Sequence, residues 1–307
     1  MISRRQLVYG LGAFGLTGLG CGGYAFAIEP YRLQTARYKI SPAGWPKGLR
    51  LRIAAIADIH ICEPWMPVSR VREIVAATNE LKPDLIVLLG DFVGGHRLVN
   101  RLGDPIDKSL WAPVLAELKA PLGRYAILGN HDWWEHHDVQ VRRAGPTETG
   151  AALQAAGIPV FENDAVRLDK DGQPFWLCGL GDQWAFYSHA DGRRRQGRFD
   201  FEGVDDLDAT LAKINDDAPV LMMAHEPDVF ARMPERVALT MAGHTHGGQV
   251  QFFGYAPVIP SLFGRRYVYG LVEERGRHMV VSGGLGCSGL PVRFGRPPEI
   301  VQIDLEA

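Results

Sequence analysis

Cysteine is scarce in this chain. The four, Cys21, Cys62, Cys178 and Cys287, form no C-x-x-C pair, so the sequence suggests neither a zinc knuckle nor a disulfide framework. Charge of one sign is also lacking: the net charge is -2, and with no basic excess there is no nucleic-acid-binding signal. Internal repeats and low-complexity blocks are missing as well. What remains is 307 residues, 46% hydrophobic and 22% charged, an ordinary globular composition with length for one large domain or two small ones.

The first segment stands apart. The chain opens Ser3-Arg4-Arg5-Gln6-Leu7, runs uncharged and glycine-rich to Ala27, and closes that run with Ala25-Phe26-Ala27. A basic start, an apolar stretch and a small-residue A-x-A site make a signal peptide, and the paired arginines resemble a twin-arginine export signal. The stretch is also about the length that spans a bilayer as a retained anchor, and both outcomes stay open. The expectation is a twin-arginine-like signal or anchor over 1–27, a lead-in over 28–48 and one domain over 49–307. The protein would be handled by the export machinery and be periplasmic or anchored to the inner membrane. That route carries folded proteins, so a metal site could be filled before export. Losing residues 1–27 removes two arginines and no acid, shifting the net charge from -2 to -4.

Short apolar runs punctuate the rest. Strands are predicted over 51–57, 84–89, 123–128, 159–161, 164–168, 174–180, 219–224, 237–242, 278–282 and 299–305, with helices over 68–81, 109–118, 147–156 and 205–214. Strands alternating with helices predict a layered α/β fold. The late run of strands adds a second sheet, giving a two-sheet β-sandwich flanked by helices.

Five of the strands end in a polar cluster: Asp58-Ile59-His60, Gly90-Asp91, Gly129-Asn130-His131-Asp132, His225, and Gly243-His244-Thr245-His246. Functional groups gather at the carboxyl ends of strands in open α/β sheets. Two carboxylates, an amide oxygen and several imidazoles can build two adjacent metal sites, with a mixed donor set suited to Zn, Mn or Fe rather than Ca. Two cations about 3.5–4 Å apart clamp the attacking and leaving oxygens of a phosphoryl displacement. Any one cluster alone is an ordinary turn, cap or core histidine; five in order at strand ends are not.

The series D-x-H, G-D, G-N-H-D, a lone H and G-H-T-H resembles the calcineurin-like metallophosphoesterase family, from about Leu49 to Leu305. The later motifs Tyr267-Val268-Tyr269-Gly270-Leu271, Ser282-Gly283-Gly284-Leu285-Gly286 and Leu290-Pro291-Val292-Arg293-Phe294 look like a bacterial branch of exported or membrane-associated phosphodiesterases. The resemblance implies that Asp58, His60 and His246 hold one metal, that Asn130, His225 and His244 hold a second, and that Asp91 bridges them. His131 is then the catalytic residue, facing substrate to stabilise charge or protonate the leaving oxygen, and Asp132 supports His131 or its turn. The implied cofactors are two divalent ions among Mn, Zn, Fe and Mg. The implied reaction is hydrolysis of a phosphodiester or pyrophosphate bond by a metal-bridging hydroxide. Within that branch, a UDP-2,3-diacylglucosamine pyrophosphatase of lipid A synthesis is an alternative, although that chemistry belongs on the cytoplasmic face. A membrane-surface scaffold without turnover is another, and a protein phosphatase a third.

Weaker signals surround the site. Trp133 and Trp134 form either an aromatic substrate lip or core packing. The loop over 182–203 carries Arg193, Arg194, Arg195 and Arg198, which suit a lipid phosphate or simple solvation. His96, His136, His137 and His189 carry no assignment. The expected partners are a phosphate-ester substrate, lipid-linked in one reading, and a membrane surface.

Overall fold

The computed structural model describes residue 18 and residues 20–94, 104–188 and 201–307. Two six-stranded sheets pack face to face. The main strands are β1 (Gln34–Ile40), β2 (Leu51–Ile56), β3 (Leu85–Leu89), β4 (Arg124–Ile127), β5 (Val160–Phe161), β6 (Asp164–Lys170), β7 (Gln173–Gly179), β8 (Val220–Met223), β9 (Val237–Ala242), β10 (Gly270–Glu274), β11 (Arg277–Val281) and β12 (Glu299–Leu305). The first sheet runs β1-β12-β2-β3-β4-β5 and the second β10-β11-β9-β8-β7-β6. In the first, β12 is antiparallel to β2 and the other pairs are parallel. In the second, the outer pairs β6–β7 and β10–β11 are antiparallel and the inner ones parallel.

Side-chain alternation along each strand divides the core into layers. Ile53, Ala55, Leu85 and Val87 of the first sheet meet Leu177, Leu221, Leu239 and Met241 of the second between the sheets. The intervening residues Ala54, Ile56, Ile86 and Leu88 face outward and are covered by helices. Met222 and Val220 do the same on the far side, beneath Leu207, Phe230 and Tyr267. Strands covered on both faces read as continuous apolar runs, which is why β2, β3, β8 and β9 stand out in the sequence.

The covering helices follow their period. Helix α1 (Val68–Glu80) buries Val71, Ile74, Val75 and Thr78, the three- and four-residue spacing of one face, and ends ahead of Pro83. Helices α2 (Lys108–Leu115), α3 (Asn130–Trp134), α4 (His137–Arg142), α5 (Glu148–Ala155) and α6 (Leu207–Ala212) follow along the chain. Side chains of Asp107, Thr147 and Asp206 cap α2, α5 and α6, satisfying first-turn amides.

The stretch expected as a lead-in is not merely that: Gln34–Ile40 is a full edge strand, paired with Glu299–Leu305. Its charged Arg37 and Lys39 alternate with half-buried residues, so it carries no apolar run. Gly270–Glu274, also absent from the expected strands, is an edge of the same kind. Ahead of β1, residues 20–27 are helical and dock on the domain. Phe26 meets Trp65 edge-to-face at 4.9 Å, Tyr24 meets Phe294, and the Arg293 amide donates to the Ala25 carbonyl at 2.9 Å. Among the described residues no helix is long and apolar enough to cross a membrane. Most of the N-terminal stretch, with Arg4 and Arg5, lies outside those residues, as do His96, His189 and the arginines at 193–195 and 198.

Candidate metal centre

The carboxyl ends of β2, β3, β4, β8 and β9 converge at one edge of the sandwich. Asp58 and His60 follow β2, Asp91 follows β3, Asn130 and His131 open α3 after β4, His225 follows β8, and His244 and His246 follow β9. All eight side chains are buried. Five of these residues hold left-handed backbone angles: Asp58 (φ 53°), His60 (49°), Asp91 (56°), His244 (69°) and His246 (52°). Such angles cost on the order of 1–3 kcal/mol each in a non-glycine residue and persist where surrounding structure enforces them, typically at functional sites.

At the centre the donor atoms fall into three groups, of which His60, Asp91 and His131 link the other two. Ligand atoms of Asp58, His60 and His246 lie within 4.8 Å of one another, as do those of Asp91, His225 and His244. The His60 and His246 Nε2 atoms face each other at 2.9 Å. In the second group the Asn130 Oδ1 stands 2.9 Å from His244 Nδ1 and 3.2 Å from His225 Nε2. Asp91 lies between, its Oδ2 at 3.6 Å from His60 Nε2 and 3.3 Å from His225 Nε2. Thus His244 and His246, one residue apart, aim at different groups.

The arrangement fits cations. Asp58 Oδ2 and His244 Nε2 are buried without a hydrogen-bond partner, and a buried polar atom left unpaired is costly. Oxygen and imidazole nitrogen together form a borderline-hard donor set suited to first-row divalent metals. Further groups fix the rings from behind. His225 Nδ1 lies 2.6 Å from the Leu89 carbonyl and His60 Nδ1 3.1 Å from that of Val93, which orients each Nε2 toward the centre.

Glycine makes room for this crowding. A Cβ at Gly129 would lie 2.4 Å from Asp91 Oδ1, and one at Gly243 would lie 2.8 Å from Asp58 Oδ2. Asp132 supplies the frame. Its carboxylate accepts from the amides of Asp91, Phe92, Val93 and Gly129 at 2.9–3.3 Å. It therefore supports the turn and the Asp91 loop.

Burial and mutual charge set the protonation pattern. Burial pushes the Asp58 carboxyl up to about 7, with His225 opposing and Asp91 adding. Burial also raises Asp132 to about 7. For Asp91 burial acts upward but is overcome by His225 and His131, which hold it well below the usual range. Burial keeps His244 and His246 well below the usual imidazole value, with His225 and His60 respectively adding to it. Both therefore present neutral rings, the form that binds metal. His131 goes the other way: burial lowers it, but Asp91 and Glu135 outweigh burial, and its Nδ1 stands 3.8 Å from Glu135 Oε1.

Of the two tryptophans proposed as a lip, Trp133 does not form one. It is 1% exposed and packs edge-to-face on Phe186 in the core. Trp134 is half-buried and lies edge-on to His131 at 5.1 Å. It stacks on Phe201, which stacks on Trp184, and Trp184 abuts His244. His136 is buried beside Glu148, and among the described residues no metal-ligating group includes it or His137.

Sequence reasoning missed Asp182, Glu226 and Arg293 as site residues. Ligand atoms of Asp182, His225 and Glu226 form one buried group; burial, then mutual repulsion, raises Asp182 well above its usual value. The signal was present in the Gly181-Asp182 step after β7, which repeats the Gly90-Asp91 step after β3. Arg293 is fully buried, donates to the Gly283 and Arg296 carbonyls at 2.9 and 3.0 Å and to that of Gly286, and reaches His246 Nδ1 at 3.2 Å. It pins the Gly283–Gly286 turn beneath Asp58.

Residues 51–248 match the family model described as calcineurin-like phosphoesterase. The chain belongs to that family. This calcineurin-like phosphoesterase is similar along its whole length to the uncharacterized metallophosphoesterase YkuE of Bacillus subtilis, 30% identical over 100% of this chain and 98% of that one. It is likewise similar to phosphodiesterase YaeI of Escherichia coli, 29% identical over 99% and 100%. A Danio rerio transmembrane protein with metallophosphoesterase domain is 28% identical over 85% of this chain and 54% of that protein. Family and donor geometry together make the chain a metal-dependent phosphohydrolase, with the predicted two-sheet architecture.

Proposed function

We propose that this phosphoesterase cleaves phosphodiester or pyrophosphate bonds at a two-cation centre. Asp58, His60 and His246 would hold one cation, Asn130, His225 and His244 the other, with Asp91 shared. Bound there, the cations would supply an acidified water and positive charge for the phosphoryl oxygens. The residues do the rest. Asp132 fixes the shared carboxylate. His131, whose ring lies 5.0 Å from that of His60, would carry a proton to the leaving oxygen, a role suited to an imidazole that Asp91 and Glu135 shift upward.

The observation that carries the diester reading is the ring wall. Trp134 beside His131 and Trp184 beside His244 are joined through Phe201 into one stacked wall along the centre, which suits a phosphate that carries organic groups rather than a bare one. The full-length likeness to a chain named as a phosphodiesterase agrees with it. We infer a membrane-facing location as well, reached by the twin-arginine route and either periplasmic or tethered to the inner membrane. The Arg4-Arg5 start and the uncharged run after it support this, and a lipid-linked phosphate is then a natural substrate.

The test is hydrolysis of bis-p-nitrophenyl phosphate against p-nitrophenyl phosphate by the purified chain with Mn, Zn, Fe or Mg, beside His131→Ala. Metal-dependent cleavage that prefers the diester and is largely lost in the variant is expected. Preference for the monoester would overturn the diester reading. Full activity in His131→Ala would remove the histidine from the mechanism.

A further inference from the structure

The segment that leaves the second metal histidine motif is unlike the rest of the surface. Phe252, Phe253, Tyr255, Val258 and Leu262 are all more than half exposed, Val258 and Leu262 at 74% and 73%. Phe253 stands wholly in solvent at the tip of a tight turn, closed by the 2.9 Å bonds between Phe252 and Tyr255. It also holds a left-handed φ of 49° followed by Gly254 at 80°. Such a turn position ordinarily takes asparagine, aspartate or glycine. A phenylalanine there gains no packing from its own domain, and clustered apolar exposure of this kind marks an interaction surface.

The loop is held at both ends. At the first, Gln251 donates to the Gly247 carbonyl at 2.7 Å, and Ala256 is buried against Gly248. At the other, Ser261 Oγ and the Leu262 amide donate to the Asp228 carboxylate at 2.6 and 2.7 Å. The tip therefore projects from a fixed base.

Two observations identify the occupant. The N-terminal stretch enters the domain at this face: Tyr24 lies against Phe294, and Phe294 lies against Phe252 at 5.1 Å. Phe26 and Ile28 are themselves exposed there. Upstream of Tyr24, residues 6–23 carry no charge. Charge points the same way. Residues 249–267 hold two arginines and no acid; Arg266 is paired with Glu274, while the exposed Arg265 stands beside Tyr255, its guanidinium donating to the Gly254 carbonyl. Aromatic tips with adjoining cations are the composition that seats in a headgroup layer.

We propose that residues 250–263 are a docking loop for an anionic lipid bilayer, working beside the N-terminal stretch as a second point of attachment. The proposal rests on the membrane-facing part of the reading above. Because the loop begins a few residues after His246, docking holds the metal centre at the lipid–water boundary and makes lipid phosphodiesters its accessible substrates.

Hydrogen exchange of the full chain, with and without vesicles of phosphatidylcholine and phosphatidylglycerol, tests this. Amides in 252–263 are expected to exchange on the order of tenfold more slowly on the vesicles. The double variant Phe253→Asp, Leu262→Asp is expected to lose that protection while cleaving soluble bis-p-nitrophenyl phosphate at the wild-type rate, which separates docking from the enzyme reading. Exchange in the wild-type loop unchanged by vesicles would overturn the proposal, whatever the variant does. So would protection already present without lipid: lost on dilution, it means a second copy covers the loop; insensitive to dilution, it means the chain's own N-terminal stretch does.

Discussion

The Asp132 carboxylate grips the Asp91 loop from behind, one oxygen on the Asp91 amide at 2.9 Å and the other on that of Phe92 at 3.0 Å. Because Asp132 sits two residues after Asn130, one side chain sets the distance between the shared carboxylate and the opposite donor turn. Asp132→Ala is expected to weaken metal binding about 10–100-fold, the usual consequence of losing such an outer partner, although Asp132 touches no cation. Calorimetric metal titration measures it, and unchanged affinity would contradict the positioning role.

His131 behaves differently. Its amide donates to Asp91 Oδ1 at 2.9 Å, a contact any residue keeps, while its ring lies between those of His60 and Trp134. His131→Ala is expected to lower turnover by about 10²–10⁴-fold, the range for a positioned proton donor, with metal content unchanged. Elemental analysis beside kinetics checks both. A parallel loss of metal would make His131 a ligand.

Crowding makes one glycine irreplaceable. At Gly129 a Cβ would meet Asp91 Oδ1 at 2.4 Å and His225 Cε1 at 2.5 Å. Gly129→Ala is expected to destabilise the fold by about 1–3 kcal/mol, as overpacking does, and to abolish metal binding. Thermal unfolding and metal content read the two effects.

Away from the centre, Asp216 carries a clean acid signature. It accepts from Trp176, Arg167 and Ala218, which together lower its carboxyl from 3.8 to about 2. With the folded value below the unfolded one, the stabilisation is full above about pH 4 and lost as pH falls toward 2. The gap in Tm between the wild type and Asp216→Asn is expected at pH 6 and should shrink steeply between pH 4 and pH 2. A gap as large at pH 2 as at pH 6 would contradict this.

The sequence made the interior legible and the edges obscure. Strands such as Leu85–Leu89, buried on both faces, announce themselves as apolar runs, and the ligands sit where those runs stop. Gln34–Ile40 and Gly270–Glu274 are sheet edges, where charged residues face water and the apolar pattern dissolves. The same limit explains Trp133 and Trp134. Adjacent on a helix, they point about 100° apart, so one enters the core and the other the site, and nothing in the dipeptide says which. The Gly181-Asp182 step alone reads as an ordinary turn; what marks Asp182 is Glu226, brought beside it only by the pairing of β7 with β8.

If the buried cluster holds two cations that act together, activity must depend on the second as well as the first. Chelated full chain should be titrated with Mn while bis-p-nitrophenyl phosphate hydrolysis and bound metal are followed together. Little activity is expected at one equivalent, with a rise to a plateau at two and two ions bound per chain. Full activity at one equivalent, or the same rate without metal, would contradict the two-cation reading.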